Sequence, residues 1–125
     1  MDEIVRIDEG DGVWPPEGFT GQWQYHWPNG QLKYRAFFRD GRTDGVVTCY
    51  WENGVVAQKG VSENGVCRGT WVDYRDDGSI SKETEYIDER NFVERYFDTE
   101  GKLTETVVWK DGEAVEESPP APNDP

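Results

Sequence analysis

Histidine and cysteine are almost absent from this chain, although most metal sites and many catalytic sites need at least one of them. The sequence has one histidine, His26, and two cysteines, Cys49 and Cys67. One histidine cannot form a histidine cluster, and the cysteines lack the C-x-x-C spacing of zinc sites. A Cys49–His26 nucleophile pair is conceivable, but the predicted strand positions of these residues lie on opposite faces. The sequence therefore predicts no catalytic residues, no metal and no cofactor.

Aliphatic residues are also scarce. Hydrophobic residues make up 34% of the 125 residues, with a single methionine, yet aromatic residues make up 14% and include six tryptophans. Disordered chains are poor in aromatic residues, and each buried ring removes a large area from water. We therefore expect one folded domain whose core consists of rings and valines.

The chain has no long apolar run. It begins Met1-Asp2-Glu3, and the sequence shows no signal peptide, lipidation motif or transmembrane span. Two cysteines are too few for a disulfide scaffold and suit a reducing compartment. These features predict a cytoplasmic protein that does not bind membranes.

Positive charge is in short supply. The net charge is −13, and the acids concentrate at the ends: residues 1–18 and residues 111–125 each carry −5, while residues 19–110 carry −3. A strong negative field repels nucleic acid and anionic lipid and attracts basic proteins. The charge therefore favours a basic protein partner over nucleic acid, although a simple role in solubility is the alternative interpretation.

A turn signal recurs every 24 residues and indicates a repeat protein. One series is Asn29-Gly30, Asn53-Gly54, Asp77-Gly78 and, one residue early, Glu100-Gly101; a second is Asp40-Gly41, Asn64-Gly65, the altered Asp88-Glu89, and Asp111-Gly112. Repeat proteins mostly bind other molecules rather than catalyse reactions.

Each repeat predicts one β-hairpin. Asn-Gly and Asp-Gly favour type I′ turns, which need positive φ at both central residues, and the flanking residues are those that strands prefer. We assign these turns to the first series. The predicted fold is all-β, an antiparallel meander of about four repeated β-hairpins, and hence about eight strands, in an elongated twisted sheet. Residues 1–18 form an acidic cap or loop with a possible strand at Glu3–Ile7, residues 19–113 form the repeats, and residues 114–125 form an acidic, proline-rich disordered tail.

The aligned repeats do not show a single buried face. The column four residues before each turn glycine (His26, Tyr50, Tyr74, Phe97) is aromatic, and so is part of the column seven before it (Trp23, Val47, Trp71, Glu94). These columns have opposite parity on a strand. Either both faces are partly covered or a β-bulge shifts the phase.

The most complete repeat, Gly69 to Ile80, has the pattern G-x-W-x-x-Y-x-x-[ND]-G-x-[LI]. This pattern resembles the MORN-repeat variant of YwqK-like antitoxins and of immunity proteins from bacterial polymorphic toxin systems. The resemblance covers about residues 20–113 and implies a β-meander that binds other proteins without catalytic residues. The departures are His26 in the tyrosine place, Val47 in a tryptophan place, and a fourth repeat that lacks both the first glycine and the tryptophan.

The predicted binding residues are aromatic and acidic. Most of the aromatic residues are expected in the core, but the column of Trp27 and Trp51 later accepts Arg75 and Asp98 and is therefore expected to face water. Exposed aromatic residues flanked by charge are typical protein-binding anchors. The predicted partner site comprises Trp27, Trp51, Tyr25, Asp73, Asp76, Asp77, Glu83, Glu85, Glu94 and Asp98.

Two functions remain open at this point. The first is a non-enzymatic immunity protein or antitoxin that binds and occludes a bacterial toxin domain with a basic surface. The alternative is a structural scaffold or adaptor that self-associates, for example through an open sheet edge, or bridges partners. A small enzyme or a glycan-binding module with surface tryptophans is a third and weaker interpretation.

Overall fold

The computed structural model describes residues 3–8 and 15–118, with the backbone alone described for residues 3–8 and 116–118. These residues contain ten strands and no helix. The strands are β1 (Glu3–Asp8), β2 (Gly21–His26), β3 (Leu32–Arg39), β4 (Arg42–Tyr50), β5 (Val56–Glu63), β6 (Val66–Tyr74), β7 (Ile80–Asp88), β8 (Asn91–Phe97), β9 (Leu103–Lys110) and β10 (Glu113–Ser118). The predicted all-β class is confirmed.

The ten strands form one open sheet in chain order. From β2 to β10 every neighbouring pair is antiparallel, as predicted for four repeated hairpins. The strand expected at Glu3–Ile7 is present as β1, but it pairs in parallel with β2, with Glu3 opposite Gly21. A parallel neighbour requires a long connection, and twelve residues separate β1 from β2 in the sequence.

The predicted tail begins too early. Residues 114–118 belong to β10, which pairs with β9. Asp111 and Gly112 both have positive φ, 52° and 82°, and so form a tight turn that returns the chain onto β9. The remainder of the predicted tail, residues 119–125, lies outside the described residues.

The two turn series have different geometries, and the prediction of type I′ turns in the first series is wrong. Positive φ at both central residues occurs in the three second-series turns that contain glycine, as in Asn64 (51°) and Gly65 (84°). In the first series only the glycine has positive φ, for example Gly30 at 91°. There the Gly30 amide donates to the Trp27 carbonyl (2.9 Å), and the Trp27 amide donates to the Gln31 carbonyl (2.8 Å). This is a three-residue loop that ends in a left-handed glycine, the common alternative to a two-residue turn.

A β-bulge accompanies every loop of the first series, and its extra residue lies on the second strand of the hairpin. In the first hairpin Tyr25 pairs with Tyr34 whereas His26 pairs with Leu32, so Lys33 is the extra residue. Equivalent register shifts occur in the other three hairpins. The extra residue changes the phase of β3 and leaves that of β2 unchanged, so Trp23 and His26 lie on opposite faces of β2. Both are buried, at 4% exposure each, and both faces of the sheet are therefore partly covered at this strand.

The core lies on one face of the sheet, called here the core face. Its buried cluster comprises Trp23, Tyr34, Ala36, Phe38, Val47 and Trp71. All of these belong to the first three repeats. In the fourth repeat the tryptophan position holds Glu94, and Val107 is the buried hydrophobic residue on this face. The apolar core is therefore concentrated between β2 and β6.

Candidate functional site

The four loops of the first series lie at the same end of the strands, because alternate connections of a meander share one end. We call the surface formed by residues 27–31, 51–55, 75–79 and 98–102 the hairpin-turn edge. It contains five of the ten predicted binding residues, which are Trp27, Trp51, Asp76, Asp77 and Asp98.

Side chains of the hairpin-turn edge join each loop to the next. The indole N–H of Trp27 donates to the Tyr50 carbonyl, and that of Trp51 donates to the Tyr74 carbonyl, both at 3.0 Å. Asparagines repeat the arrangement: Asn29 donates to the Glu52 carbonyl and Asn53 donates to the Asp76 carbonyl, both at 2.8 Å. Every donor thus reaches 23 residues ahead, and these bonds hold the loops of the first three repeats in line.

Arg75 takes the place of the tryptophan in the third repeat. Its guanidinium donates to the carbonyls of Ile80 (3.0 Å) and Phe97. Arg75 therefore joins its loop to the next one, as Trp27 and Trp51 do. The charge in this column predicts exposure to water, but Arg75 is half-buried and makes the same kind of inter-repeat contact.

The two tryptophans differ in how much of the ring is open. Trp51 is 38% exposed. Trp27 is half-buried, and the ammonium group of Lys33 lies 4.4 Å from the centre of its ring. A cation over an aromatic face is an attractive contact, so the chain already covers part of Trp27. Trp51 is the more accessible ring.

Acidic residues are distributed along this edge, on both the loop of Trp51 and the two loops that follow it. Glu52, Asp76, Asp77 and Glu100 are exposed, and Asp98 is half-buried in the last loop. Hydrogen bonds from the Ser79 hydroxyl and amide lower the pKa of Asp77, and backbone amides, Lys102 first, lower the pKa of Asp98. Both carboxylates therefore remain ionised well below neutral pH.

The other predicted residues do not belong to this edge. Tyr25, Asp73 and Glu94 lie on the core face, where Tyr25 stacks on Tyr34 with ring centres 5.1 Å apart. Glu83 and Glu85 lie on the opposite face, because they alternate with Thr84 of the core face. The structure thus divides the predicted site among three surfaces.

A polar network occupies the core face where the apolar cluster ends. Lys82 lies between two carboxylates, 3.6 Å from Asp73 and 3.4 Å from Glu94. Gln58 donates to Asp73 (2.8 Å), and the Trp109 indole donates to Glu94 (2.8 Å). Sequence reasoning missed this network, although Glu94 in a tryptophan column was a signal of it.

The opposite charges within this network compensate one another. Burial acts to lower the pKa of Lys82, but the charges of Asp73 and Glu94 outweigh it and raise that pKa. Lys82 therefore stays protonated and bridges the two carboxylates. It lines a groove of ≈ 500 Å³ together with Tyr96 and Glu105. This arrangement can accept hydrogen-bonding groups, but it presents no free nucleophile.

The cysteines and the histidine lie in the packed part of the sheet. Burial, with a smaller effect of the Asp73 charge, raises the pKa of the Cys49 thiol, and burial also raises that of Cys67. Both thiols are therefore protonated at neutral pH, the unreactive form. Within the described ranges no group of histidine, cysteine and acidic side chains is arranged to hold a metal ion.

These features define an all-β repeat protein with one open sheet. Residues 19–40 and 43–64, the first two repeats, match the family model of the MORN repeat variant. The third repeat, which carries the fullest form of the pattern in the sequence, is not among the matched segments. Repeats of this family are non-catalytic modules that generally bind proteins or membranes. No curated protein matches the chain, and no solved structure matches it.

In the part of the chain that the structure describes, no helix is long and apolar enough to cross a membrane.

Proposed function

We propose that this chain is a cytoplasmic immunity protein or antitoxin that binds and occludes a bacterial toxin domain with a basic surface. The hairpin-turn edge is the binding surface. Trp51 is the apolar anchor, and the acidic residues around it attract the partner.

The exposed and already oriented ring of Trp51 carries this proposal. Its indole N–H is bound to the Tyr74 carbonyl (3.0 Å), while the side chain remains 38% exposed. A ring held in one orientation loses little conformational entropy when a partner covers it. Tryptophan is also strongly enriched among the residues that dominate binding energy.

The charge at this edge matches a basic partner. Glu52, Asp76 and Asp77 are exposed beside Trp51, and the whole chain carries −13. Complementary charge raises association rates more than it raises affinity. A toxin that acts on a polyanion needs a basic surface of its own, and an acidic edge would cover that surface.

The test pairs two tryptophans that make the same structural contact. The chain is co-expressed with each toxin domain encoded beside its gene, and cell survival and complex formation are measured. Trp51→Ala should weaken the complex by about 2 kcal/mol or more, as expected for a central aromatic anchor. The matched control, Trp27→Ala, loses the same inter-loop hydrogen bond from a ring that Lys33 already covers, and it should retain most of the affinity.

Two outcomes would contradict the proposal. One is that the chain protects against none of the adjacent toxins. The other is a complex that Trp51→Ala and Trp27→Ala weaken equally, because the effect would then reflect loop stability alone. Asp76→Asn and Asp77→Asn add an independent readout, since both should slow association more at low salt than at high salt.

The alternative function is a scaffold that assembles by pairing the edges of sheets, and the outer strand β10 gives this less support. The outer strand β10 contains a bulge between Ala114 and Glu116, and the sequence places Glu113, Glu116 and Glu117 along it. Bulges and charges on an edge strand oppose the addition of another strand.

A further inference from the structure

The face opposite the core face, called here the second face, exposes apolar side chains in its centre. Val46 and Val61 are direct cross-strand neighbours on β4 and β5, and they are 53% and 46% exposed. Val72, Val93 and Val108 lie on the same face and are half-buried. Exposed aliphatic residues that adjoin one another on a sheet typically indicate an interaction surface.

Two opposite charges flank the middle of this face. Val72 on β6 is opposite Lys59 of β5 on one side and opposite Glu83 of β7 on the other. Lys59 and Glu83 are two strand spacings apart, roughly 9.6 Å between their backbones, and they do not form an ion pair with each other. Neither has an ion-pair partner among the described side chains.

The two halves of the face on either side of β6 are complementary; on β6 itself Arg68 would lie near its own copy, but its charge is paired with Glu63 at 3.2 Å. A two-fold axis through Val72 and parallel to the strands exchanges β5 with β7, β4 with β8, and β3 with β9. In a second copy related by this axis, Lys59 meets Glu83 twice, Val46 meets Val93, and Phe37 meets Val108. Glu85 would lie opposite Val61, but its charge is already paired with Arg95 at 2.9 Å.

We propose that the second face binds a second copy of this chain and forms a two-fold symmetric homodimer. The interface is isologous: the same patch on each copy supplies both halves. Charge complementarity favours a second copy as the partner, because Lys59 and Glu83 of one copy lie opposite Glu83 and Lys59 of the other. Two chains of net charge −13 otherwise repel each other, so a contact without these pairs would be disfavoured.

Charge reversal tests the proposal on the full chain. The mass in solution is measured by light scattering and sedimentation across the micromolar to millimolar range. The unmodified chain should dimerise. Lys59→Glu alone and Glu83→Lys alone should each raise the dissociation constant at least about tenfold, because each places like charges opposite one another. The double variant K59E/E83K restores opposite charges and should recover dimerisation.

The controls separate interface effects from folding and from the proposed function. Glu17→Lys makes the same charge change as Glu83→Lys on an exposed residue outside the strands, close to Phe19, which packs against the core face, and it should leave the dimer unchanged. Circular dichroism and tryptophan fluorescence check that each variant remains folded. The Trp51→Ala chain should still dimerise, so loss of toxin binding and loss of the dimer can be told apart.

Three outcomes would overturn the proposal: a monomer at all concentrations, a dimer that neither single reversal weakens, or a double variant that fails to recover. A dimer that resists both single reversals would indicate contact through another surface.

Discussion

At the scale of single residues, the packing depends on one close approach. A Cβ atom added to Gly60 would lie 2.0 Å from Cδ2 of Trp71 and 2.3 Å from Cε2. The indole therefore lies directly on the backbone of β5, and its N–H donates to the Val61 carbonyl at 3.0 Å. The absence of a side chain at this position allows the largest ring of the third repeat to reach 9% exposure.

We predict that Gly60→Ala destabilises the protein by about 1–3 kcal/mol, the usual cost of inserting atoms into a packed site. The methyl group would displace Trp71 and break its bond to Val61. Denaturant unfolding, followed by tryptophan fluorescence, measures the change. Trp71→Val is the second variant needed for the control. It introduces valine because the second repeat has a valine, Val47, in the equivalent position.

A double-mutant cycle provides the control for that prediction. In the Gly60→Ala, Trp71→Val chain the ring that clashes is gone. The stability lost in Gly60→Ala and the stability lost in Trp71→Val should therefore add up to clearly more than the stability lost in the double variant. Simple additivity would show that the cost arises elsewhere than in the Gly60–Trp71 contact.

At the scale of elements, turns and their aspartates determine how the strands connect. Hydrogen bonds lower the pKa of four aspartates below the ordinary 3.8. The main donors are the Asn64 amide to Asp44, the Ser79 hydroxyl to Asp77, the Arg90 amide to Asp88 and the Lys102 amide to Asp98. All of these bonds exist only in the folded chain. The unfolded chain therefore binds protons more readily at these sites.

We predict that the protein loses stability as it is acidified below about pH 4, because a lowered folded-state pKa contributes stability that is present above the unfolded pKa and lost below it. Thermal unfolding between about pH 5 and pH 2 measures this effect. Asp77→Asn keeps an oxygen that can accept from Ser79 but cannot titrate, so it should reduce the pH dependence. An unfolding temperature constant over this range would contradict the prediction.

At the scale of the whole molecule, stability is unevenly distributed along the sheet. Apolar burial is concentrated between β2 and β6, whereas the core face around β7 and β8 contains the Asp73–Lys82–Glu94 network. Partly exposed charge pairs contribute little to stability compared with buried rings. Repeat arrays also lack distant contacts that would make stability uniform.

We predict that hydrogen exchange is slowest in β3–β5 and becomes faster toward β9 and β10. Local opening should cost less free energy where fewer apolar side chains are buried. Exchange measured by mass spectrometry on peptides from each repeat tests this. As a control, Lys82→Ala should increase exchange in β7 and β8 while leaving β3 nearly unchanged; equal protection in all repeats would contradict the prediction.

The repeat, the all-β class and the places where the chain turns were predictable because each depends on neighbouring residues. Asn64-Gly65, for example, favours a tight turn between two strands regardless of the rest of the sequence. The turn types, the bulge at Lys33 and the final strand β10 were not predictable in this way, because they depend on the register between two strands.

The candidate site was likewise predictable only in part. Trp51 and its acidic neighbours could be selected from the repeat columns. The contacts that orient these side chains join residues 22 or 23 positions apart: the indole of Trp51 to Tyr74, and the guanidinium of Arg75 to Phe97. Pattern alone could not separate Asp77 on the hairpin-turn edge from Asp73 in the polar network, because strand pairing places acids only four residues apart on different surfaces.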